Sequence, residues 1–165
     1  MRNSDQTRSS ILVSACLLGE SCRYNGQGYQ LPHFVESLQN YKVIPICPEV
    51  LGGLSVPRPP CEIKAGDGNG VWQKTAGVFT ESGLDRTAAF QRGARKALAI
   101  AKKSGAKLAI LKDNSPSCGS NQIYDGSFCN RKVDGVGVTT ALLQKQGIRV
   151  MAEQDWIEKR RGNRV

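Results

Sequence analysis

The sequence predicts an α/β fold, a Rossmann-like three-layer domain with a short, mostly parallel sheet of about four or five strands. Short and almost wholly apolar runs, typical of strands buried on both faces, alternate along the chain with stretches of helical spacing. This alternation is the pattern of a parallel sheet connected by right-handed crossovers. The length of 165 residues is that of one domain, long enough to bury a core without disulfide or metal support.

Four apolar runs are the predicted strands of this sheet. They cover residues 11–18, 41–47, 108–111 and 148–151. Gly19 closes the first run and Pro48 closes the second, because neither residue readily continues a strand. The strands are therefore expected to be short and to end in sharply shaped loops.

Helical spacing predicts three helices between the strands and a fourth near the C-terminus. The first three cover residues 31–39, 85–104 and 138–146. The helix at 85–104 has the clearest pattern, with one apolar face and one basic face. The basic face carries Arg92, Arg95, Lys96, Lys102 and Lys103. Such a face is either a solvated surface or a binding site for a polyanion such as tRNA.

The remaining segments are rich in glycine, proline and polar residues. The segment 65–84 predicts a small hairpin, a mobile lid or coil. We expect a single domain over residues 1–165, with flexible tails at 1–10 and 160–165.

Cysteine and histidine counts limit the chemistry of the chain. Six cysteines accompany a single histidine, His33, so histidine-rich zinc sites and Ser-His-Asp triads have no support. No apolar stretch approaches the ~20 residues of a membrane span, and the run from Ile11 to Ala15 is too short for a signal-peptide core. We therefore expect a cytoplasmic protein with no membrane partner, whose cysteines are thiols or metal ligands.

Three of the cysteines follow predicted strands. Cys16 and Cys47 end the first two strands, and Cys118 comes shortly after the third. Because the carboxyl ends of parallel strands share one edge of a sheet, these thiols are expected to converge. Three thiolates without a nearby histidine suit an iron-sulfur cluster more than a zinc ion. The alternative is that the thiols are small buried apolar groups.

Candidate acid/base groups lie next to these cysteines. Glu49 follows Cys47 by two residues. Ser115 and Ser117 lie just before Cys118, on the loop after the third strand. A carboxylate that holds a water and a hydroxyl that orients it would form a general acid/base pair. A helix cap and an ordinary turn explain the same residues without catalysis. Arg23, Arg58 and Lys112 are further candidates as contacts for an anionic substrate.

Five motifs in the same order resemble those of the thiouracil desulfidase family. They are Ser-Ala-Cys-Leu-Leu-Gly, Cys-Pro-Glu-Val-Leu-Gly-Gly-Leu-Ser-Val-Pro-Arg-Pro-Pro, Leu-Lys-Asp-Asn-Ser-Pro-Ser-Cys-Gly, Tyr-Asp-Gly-Ser-Phe and Gly-Val-Gly-Val-Thr-Thr-Ala-Leu-Leu. The similarity spans residues 11–153, and the cysteine-centred motifs are the most specific part of it.

The resemblance implies a [4Fe-4S] cluster held by only three cysteines, which map onto Cys16, Cys47 and Cys118. It implies a non-redox, hydrolytic desulfuration, in which the thione sulfur of a thiolated uracil binds the open iron and water attacks the carbon. The family's glutamate and serine beside that iron fall on Glu49 and on Ser115 or Ser117.

The sequence leaves three functions open. The first is a desulfidase that acts on a small thiolated pyrimidine. The second is a desulfidase or binding protein that acts on thiouridine in tRNA through the basic face. The third is a non-catalytic Rossmann-like metabolite-binding domain with inert thiols. A fourth cysteine at the cluster, from among Cys22, Cys61 and Cys129, would close the open iron and exclude the proposed chemistry.

Overall fold

The computed structural model describes residues 8–29 and 31–162. In chain order its strands and α-helices are β1 (Ser10–Ser14), β2 (Lys42–Ile46), α1 (Pro48–Leu51), β3 (Cys61–Lys64), α2 (Gly68–Trp72), β4 (Gly77–Thr80), α3 (Thr87–Ser104), β5 (Leu108–Leu111), β6 (Gln122–Tyr124), β7 (Lys132–Asp134), α4 (Val138–Lys145), β8 (Arg149–Ala152) and α5 (Glu153–Gly162). Two short 3-10 helices, Ala15–Leu18 and Glu36–Leu38, lie between β1 and β2. Among residues 8–29 and 31–162, no helix is long and apolar enough to cross a membrane.

Four strands form a parallel sheet in the order β2-β1-β5-β8. In the centre of the sheet, Leu12 pairs with Ile44 on one side and with Ala109 on the other. Ile11, Leu12 and Val13 are all fully buried, since helices cover both faces of the sheet. This double burial is why the strands are continuous apolar runs rather than alternating ones. The predicted α/β fold with a short parallel sheet is confirmed.

Helices on the two faces of the sheet complete three layers. One face packs against α3 and α4, where Ala97 belongs to the same apolar cluster as Leu12. The opposite face packs against α5, where Trp156 belongs to the same cluster as Ile11 and Val13. Successive strand residues point to opposite faces, so adjacent residues of β1 enter different clusters.

Helix α1 lies directly against the backbone of α3 through two glycines. A Cβ atom on Gly93 of α3 would overlap the carbonyl oxygen of Pro48, and a Cβ atom on Gly52 would overlap that of Ala89. Only glycine permits two backbones to approach so closely. The contact therefore fixes the position of α1 and of Glu49, which lies in its first turn.

Replacing Gly93 with alanine should lower the free energy of unfolding by about 1–3 kcal/mol, the usual cost of overpacking. The better helix propensity of alanine, about 1 kcal/mol, offsets only part of this cost. Urea unfolding measures the change. Gly162→Ala is the matched control, because a Cβ at that glycine meets open space within the described part of the chain. Equal stability of the two variants would contradict the close contact between α1 and α3.

The other strands belong to a second, smaller set of elements. Strands β3 and β4 pair in antiparallel fashion with α2 in their connection, and β6 and β7 form a hairpin. Ile63, Val71 and Ile123 from this set share an apolar cluster with Phe90 of α3. The second set therefore packs against α3 through an apolar cluster that is separate from the two clusters on the faces of the parallel sheet.

The predicted strand at 11–18 is too long, because β1 ends at Ser14. Residues Ala15–Leu18 form a 3-10 helix, which ends at Gly19 with a left-handed backbone (φ 93°). Ala15, Cys16 and Leu17 are buried in that turn. An unbroken apolar run does not distinguish a buried helical turn from a strand, which explains the error.

The α-helix predicted at 31–39 is wrong. Turns lead into the 3-10 helix Glu36–Leu38, which is the regular structure of this segment. His33 has a φ of 62°, a left-handed conformation that interrupts an α-helix. Its exposed ring lies 3.4 Å from the Glu36 carboxylate, so the single histidine is a surface residue.

The segment 65–84 contains regular structure instead of a coil or lid. Helix α2 and strand β4 lie within it, and β4 pairs with β3, which begins earlier, at Cys61. Strands of four residues with mixed burial carry too little periodicity to be identified from the sequence alone.

The chain ends were expected to be flexible tails at 1–10 and 160–165. Residues 1–7 and 163–165 lie outside the described residues. Within the described part, Ser10 begins β1, and Arg160 belongs to α5 with its guanidinium 4.1 Å from the Trp156 ring. The packing of these two residues therefore extends the domain further than the sequence indicates.

Candidate active site

A cavity of about 420 Å³ lies at the carboxyl ends of β1, β2 and β5. This edge is where open α/β sheets bind their ligands. The second set of elements contributes the other side of the cavity, through Cys61 of β3 and Tyr124 of β6. All the residues that the sequence suggests for the site line this one cavity. They are Cys16, Cys47, Glu49, Ser115, Ser117 and Cys118, together with Arg23, Arg58 and Lys112, the candidate contacts for an anionic substrate.

Each of the three cysteines suggested as ligands reaches the cavity from a different strand. Cys16 lies in the 3-10 helix after β1, Cys47 lies between β2 and α1, and Cys118 lies on the loop after β5. Cys16 and Cys118 are buried, and Cys47 is half-buried. The parallel sheet brings these thiols together because its strand ends share one edge.

Two further cysteines line the same cavity. Cys22, on the loop after Gly19, lines it, and its carbonyl oxygen accepts a hydrogen bond from the Cys47 thiol at 3.7 Å. Cys61 reaches the cavity from β3. The last cysteine, Cys129, is exposed on the turn between β6 and β7. The cavity is therefore rich in thiols beyond the three that the sequence suggests as ligands.

Four of the cavity thiols, those of Cys22, Cys47, Cys61 and Cys118, retain their protons at neutral pH. Burial raises the pKa of Cys118 to about 12 and that of Cys61 to about 11. A hydrogen bond with Cys16, together with burial, raises the pKa of Cys22 to about 11. The contact with Cys22 and burial also raise the pKa of Cys47. Such thiols are weak nucleophiles, and they become strong ligands when a metal displaces their protons.

The thiols do not surround a single point. Within residues 8–29 and 31–162, no three Cys, His, Asp or Glu side chains come close enough to hold one metal ion. The arrangement thus does not fit a four-coordinate zinc ion. In a [4Fe-4S] cluster each cysteine binds a different iron, so thiols spread around one cavity fit that type of centre better.

Hydrogen bonds hold the loop after β5 in one shape. Asp113 Oδ1 accepts hydrogen bonds from the backbone N–H groups of residues 120–122 at 3.0–3.3 Å. Ser115 Oγ accepts from the backbone N–H groups of Ser117 and Cys118, both at 3.2 Å. These contacts fix the directions of the Ser117 and Cys118 side chains, and both side chains are buried.

Glu49 and Ser117 meet inside the cavity. The Ser117 hydroxyl donates to Glu49 Oε2 at 3.4 Å and also lies 3.4 Å from the Cys118 sulfur. Its distance to the Ser115 hydroxyl is 2.9 Å. Ser117 is 1% exposed and stands between the carboxylate and the thiol, whereas Ser115 supports the loop behind it. The geometry thus distinguishes the two serines that the sequence leaves equivalent.

Arg58 pairs with Glu49, a contact that the sequence does not reveal. Its Nε donates to Glu49 Oε1 at 3.3 Å, and its side chain is 5% exposed. The sequence suggests Arg58 only as a contact for an anionic substrate. No local pattern could have paired it with a carboxylate nine residues earlier, on the other side of a proline-rich loop.

Aromatic and amide side chains form the outer walls of the cavity. Tyr24 comes from the loop after Gly19, and Tyr124, Phe128 and Asn130 come from the β6–β7 hairpin. Phe128 and Asn130 both have a φ of 58°, a conformation that turns the hairpin. Flat aromatic faces with a few hydrogen-bonding groups suit a planar heterocycle. No pattern in the sequence predicts these walls, although the motif Tyr-Asp-Gly-Ser-Phe contains two of the aromatic residues.

Thiols that come from separate strand ends and lie beside a half-buried carboxylate are typical of a cysteine-ligated metal centre. Fold and cavity together thus define an α/β metalloenzyme rather than a dinucleotide-binding domain. The chain belongs to the 2-thiouracil desulfurase family, whose sequence profile matches residues 11–155. This membership confirms the family that the five motifs indicate.

Two individual proteins illustrate the relationship. The uncharacterised protein YbbK of Bacillus subtilis (strain 168) is 48% identical over 145 residues, which are 88% of this chain and 96% of that protein. A solved structure, described as the [4Fe-4S]-dependent thiouracil desulfidase TudS, matches with a TM-score of 0.79 and 43% sequence identity. The match covers 92% of this chain and 95% of that one. The cofactor in that description agrees with the cluster expected from the sequence.

Proposed function

We propose that this protein removes sulfur from thiouracil, or from a similar small thiolated pyrimidine, with a [4Fe-4S] cluster bound in the cavity. The observation that carries the proposal is the convergence of thiols from three strand ends beside Glu49 and Ser117. Family membership and the similarity to a [4Fe-4S]-dependent thiouracil desulfidase support it. In the net reaction thiouracil and water give uracil and hydrogen sulfide, with no change of oxidation state.

Cys16, Cys47 and Cys118 would hold the cluster. Their donor atoms fit, because soft thiolates on short, rigid loops are the ligands that iron-sulfur clusters prefer. When bound, a cluster with three protein ligands supplies an iron that acts as a Lewis acid toward the thione sulfur. Cys22 and Cys61, which line the same cavity, would remain beside the cluster as free thiols.

Glu49 acts as the general base toward the attacking water. Its Oε1 is held by Arg58, so Oε2 is the oxygen that faces Ser117 and takes the proton. The side chain of Glu49 is 16% exposed, which limits competition from bulk water. Water loses one proton to Oε2 as its oxygen bonds to the carbon. The added hydroxyl then gives up its second proton and becomes the carbonyl as the carbon–sulfur bond breaks, and both protons leave with the sulfur as hydrogen sulfide.

Ser117 is the serine that assists this step. Its hydroxyl, in contact with Glu49 Oε2 and 3.4 Å from the Cys118 sulfur, is placed to orient a water between the carboxylate and the metal centre. Ser115 keeps Ser117 in position through the hydroxyl contact at 2.9 Å and through the backbone of the loop.

The basic face of α3 gives less support to a tRNA substrate. Arg92 donates two hydrogen bonds to the carbonyl oxygen of Gly52, and the Arg95 guanidinium lies 5.2 Å from the centre of the Trp72 ring. Two of the five cations on this face therefore hold the fold together. The walls of the cavity match a free planar base, so the small substrate is the one that we propose.

Protein purified without oxygen should be brown, should contain about four iron atoms per chain and should release sulfide from 2-thiouracil. Iron analysis, the visible absorption spectrum and a sulfide assay measure these properties. The same preparation after exposure to air is the control, and its sulfide release should fall in proportion to its iron content. A colourless, iron-free protein that released sulfide would contradict the proposal, as would a fully loaded protein that left thiouracil intact.

A further inference from the structure

Arg58 connects three segments around the cavity. It donates through Nε to Glu49 Oε1 at 3.3 Å, through Nη1 to the Ser55 carbonyl oxygen at 3.1 Å, and through Nη2 to the Cys22 carbonyl oxygen at 3.0 Å. Its own backbone N–H donates to the Tyr24 carbonyl oxygen at 2.8 Å. One side chain thus joins helix α1, the proline-rich loop and the loop that carries Cys22.

The surroundings of Arg58 argue against a direct contact with substrate. Its side chain is 5% exposed, and all three guanidinium nitrogens already donate to protein acceptors. The sequence places prolines on both sides, at positions 57 and 59, and their fixed φ angles reduce the number of conformations that this loop can adopt. The guanidinium is therefore built into the cavity wall rather than directed toward the ligand.

We infer that Arg58 is a positioning residue for Glu49, and this inference rests on the proposed function. The guanidinium occupies Oε1 and leaves Oε2 directed at Ser117, so it selects which carboxylate oxygen serves as the base. A planar fork with several donors is needed for this task, because the acceptors on Glu49, Ser55 and Cys22 lie in different directions. A lysine supplies the charge but lacks this geometry.

The test compares cluster-loaded wild-type protein with Arg58→Met and Arg58→Lys, with rates expressed per bound cluster. We expect Arg58→Met to lower kcat for sulfide release by about 10²-fold, the effect of a small displacement of a reacting group, with little change in KM. Arg58→Lys should restore part of the rate. Arg160→Met is the matched control, because Arg160 stacks on Trp156 and donates a hydrogen bond to the Tyr41 hydroxyl outside the cavity. The kcat of this variant should stay at the wild-type value.

Melting temperatures of the same proteins supply a readout that is independent of activity. Arg58→Met leaves the Glu49 carboxylate without its cation, so adding Glu49→Gln to that variant should restore part of the lost melting temperature. An unchanged kcat per cluster in Arg58→Met, or strictly additive losses of melting temperature, would overturn the inference. If the wild-type protein released no sulfide, the proposed function would fail first, and the role of Arg58 in it would fail with it.

Discussion

Replacing Cys118 with serine should yield a folded protein that binds no cluster. Cys118 is 4% exposed, and serine is close enough in size to leave the packing around it intact. The hydroxyl is a much poorer ligand for iron than a thiolate. We expect the iron content to fall to roughly a tenth of the wild-type value or less.

Iron analysis and the visible spectrum after anaerobic purification measure this loss, and circular dichroism checks the fold. Cys129→Ser is the matched control, because that thiol is exposed and does not line the cavity within the described residues. It should retain full iron content and activity. A Cys118→Ser protein with full iron content would show that another side chain completes the site, and the three-cysteine proposal would be wrong.

Replacing Glu49 with glutamine should preserve the cluster and slow sulfide release by about 10²- to 10⁴-fold, the usual contribution of a general base. Glutamine has nearly the same shape, so it can keep its contacts with Ser117 and Arg58. Its amide cannot take up the proton that the attacking water must lose. The rate of sulfide release from thiouracil, expressed per bound cluster, measures the effect.

Glu158→Gln provides the control for the loss of one negative charge, since Glu158 is exposed on α5. Its rate should equal that of the wild-type protein. If Glu49→Gln kept the full rate, the base would lie elsewhere in the cavity. If it lost iron instead, the carboxylate would be required for cluster binding, and its proposed role as a base alone would be wrong.

The sequence predicts most of the sheet well because strands buried on both faces form continuous apolar runs. The runs at 41–47, 108–111 and 148–151 agree with β2, β5 and β8 to within one residue at each end. The prediction of an α-helix at 31–39 is wrong, because turns and a short 3-10 helix there give apolar residues the spacing of an α-helix. The left-handed backbone of His33, which interrupts an α-helix, cannot be recognised from a pattern of side chains. Strands β3 and β4 are no shorter than β5, but they bury only alternate residues and so leave no continuous apolar run.

The site was predictable where it depends on topology. Parallel strand ends share one edge, and this rule alone places Cys16 and Cys47 on a common cavity. It does not decide between Ser115 and Ser117, which differ only in where their hydroxyls point. It also does not reveal the ion pair between Arg58 and Glu49, because such contacts depend on how loops fold in space rather than on residue spacing.

The cavity has two walls with separate origins in the chain. The thiols and the carboxylate come from the sheet edge, whereas Tyr124, Phe128 and Asn130 come from a hairpin with its own packing against α3. Exchanging the hairpin between relatives should therefore alter which heterocycle is accepted, while the chemistry on the sheet edge is inherited unchanged. Such a division allows selectivity to diverge, in nature or in the laboratory, without rebuilding the reaction centre.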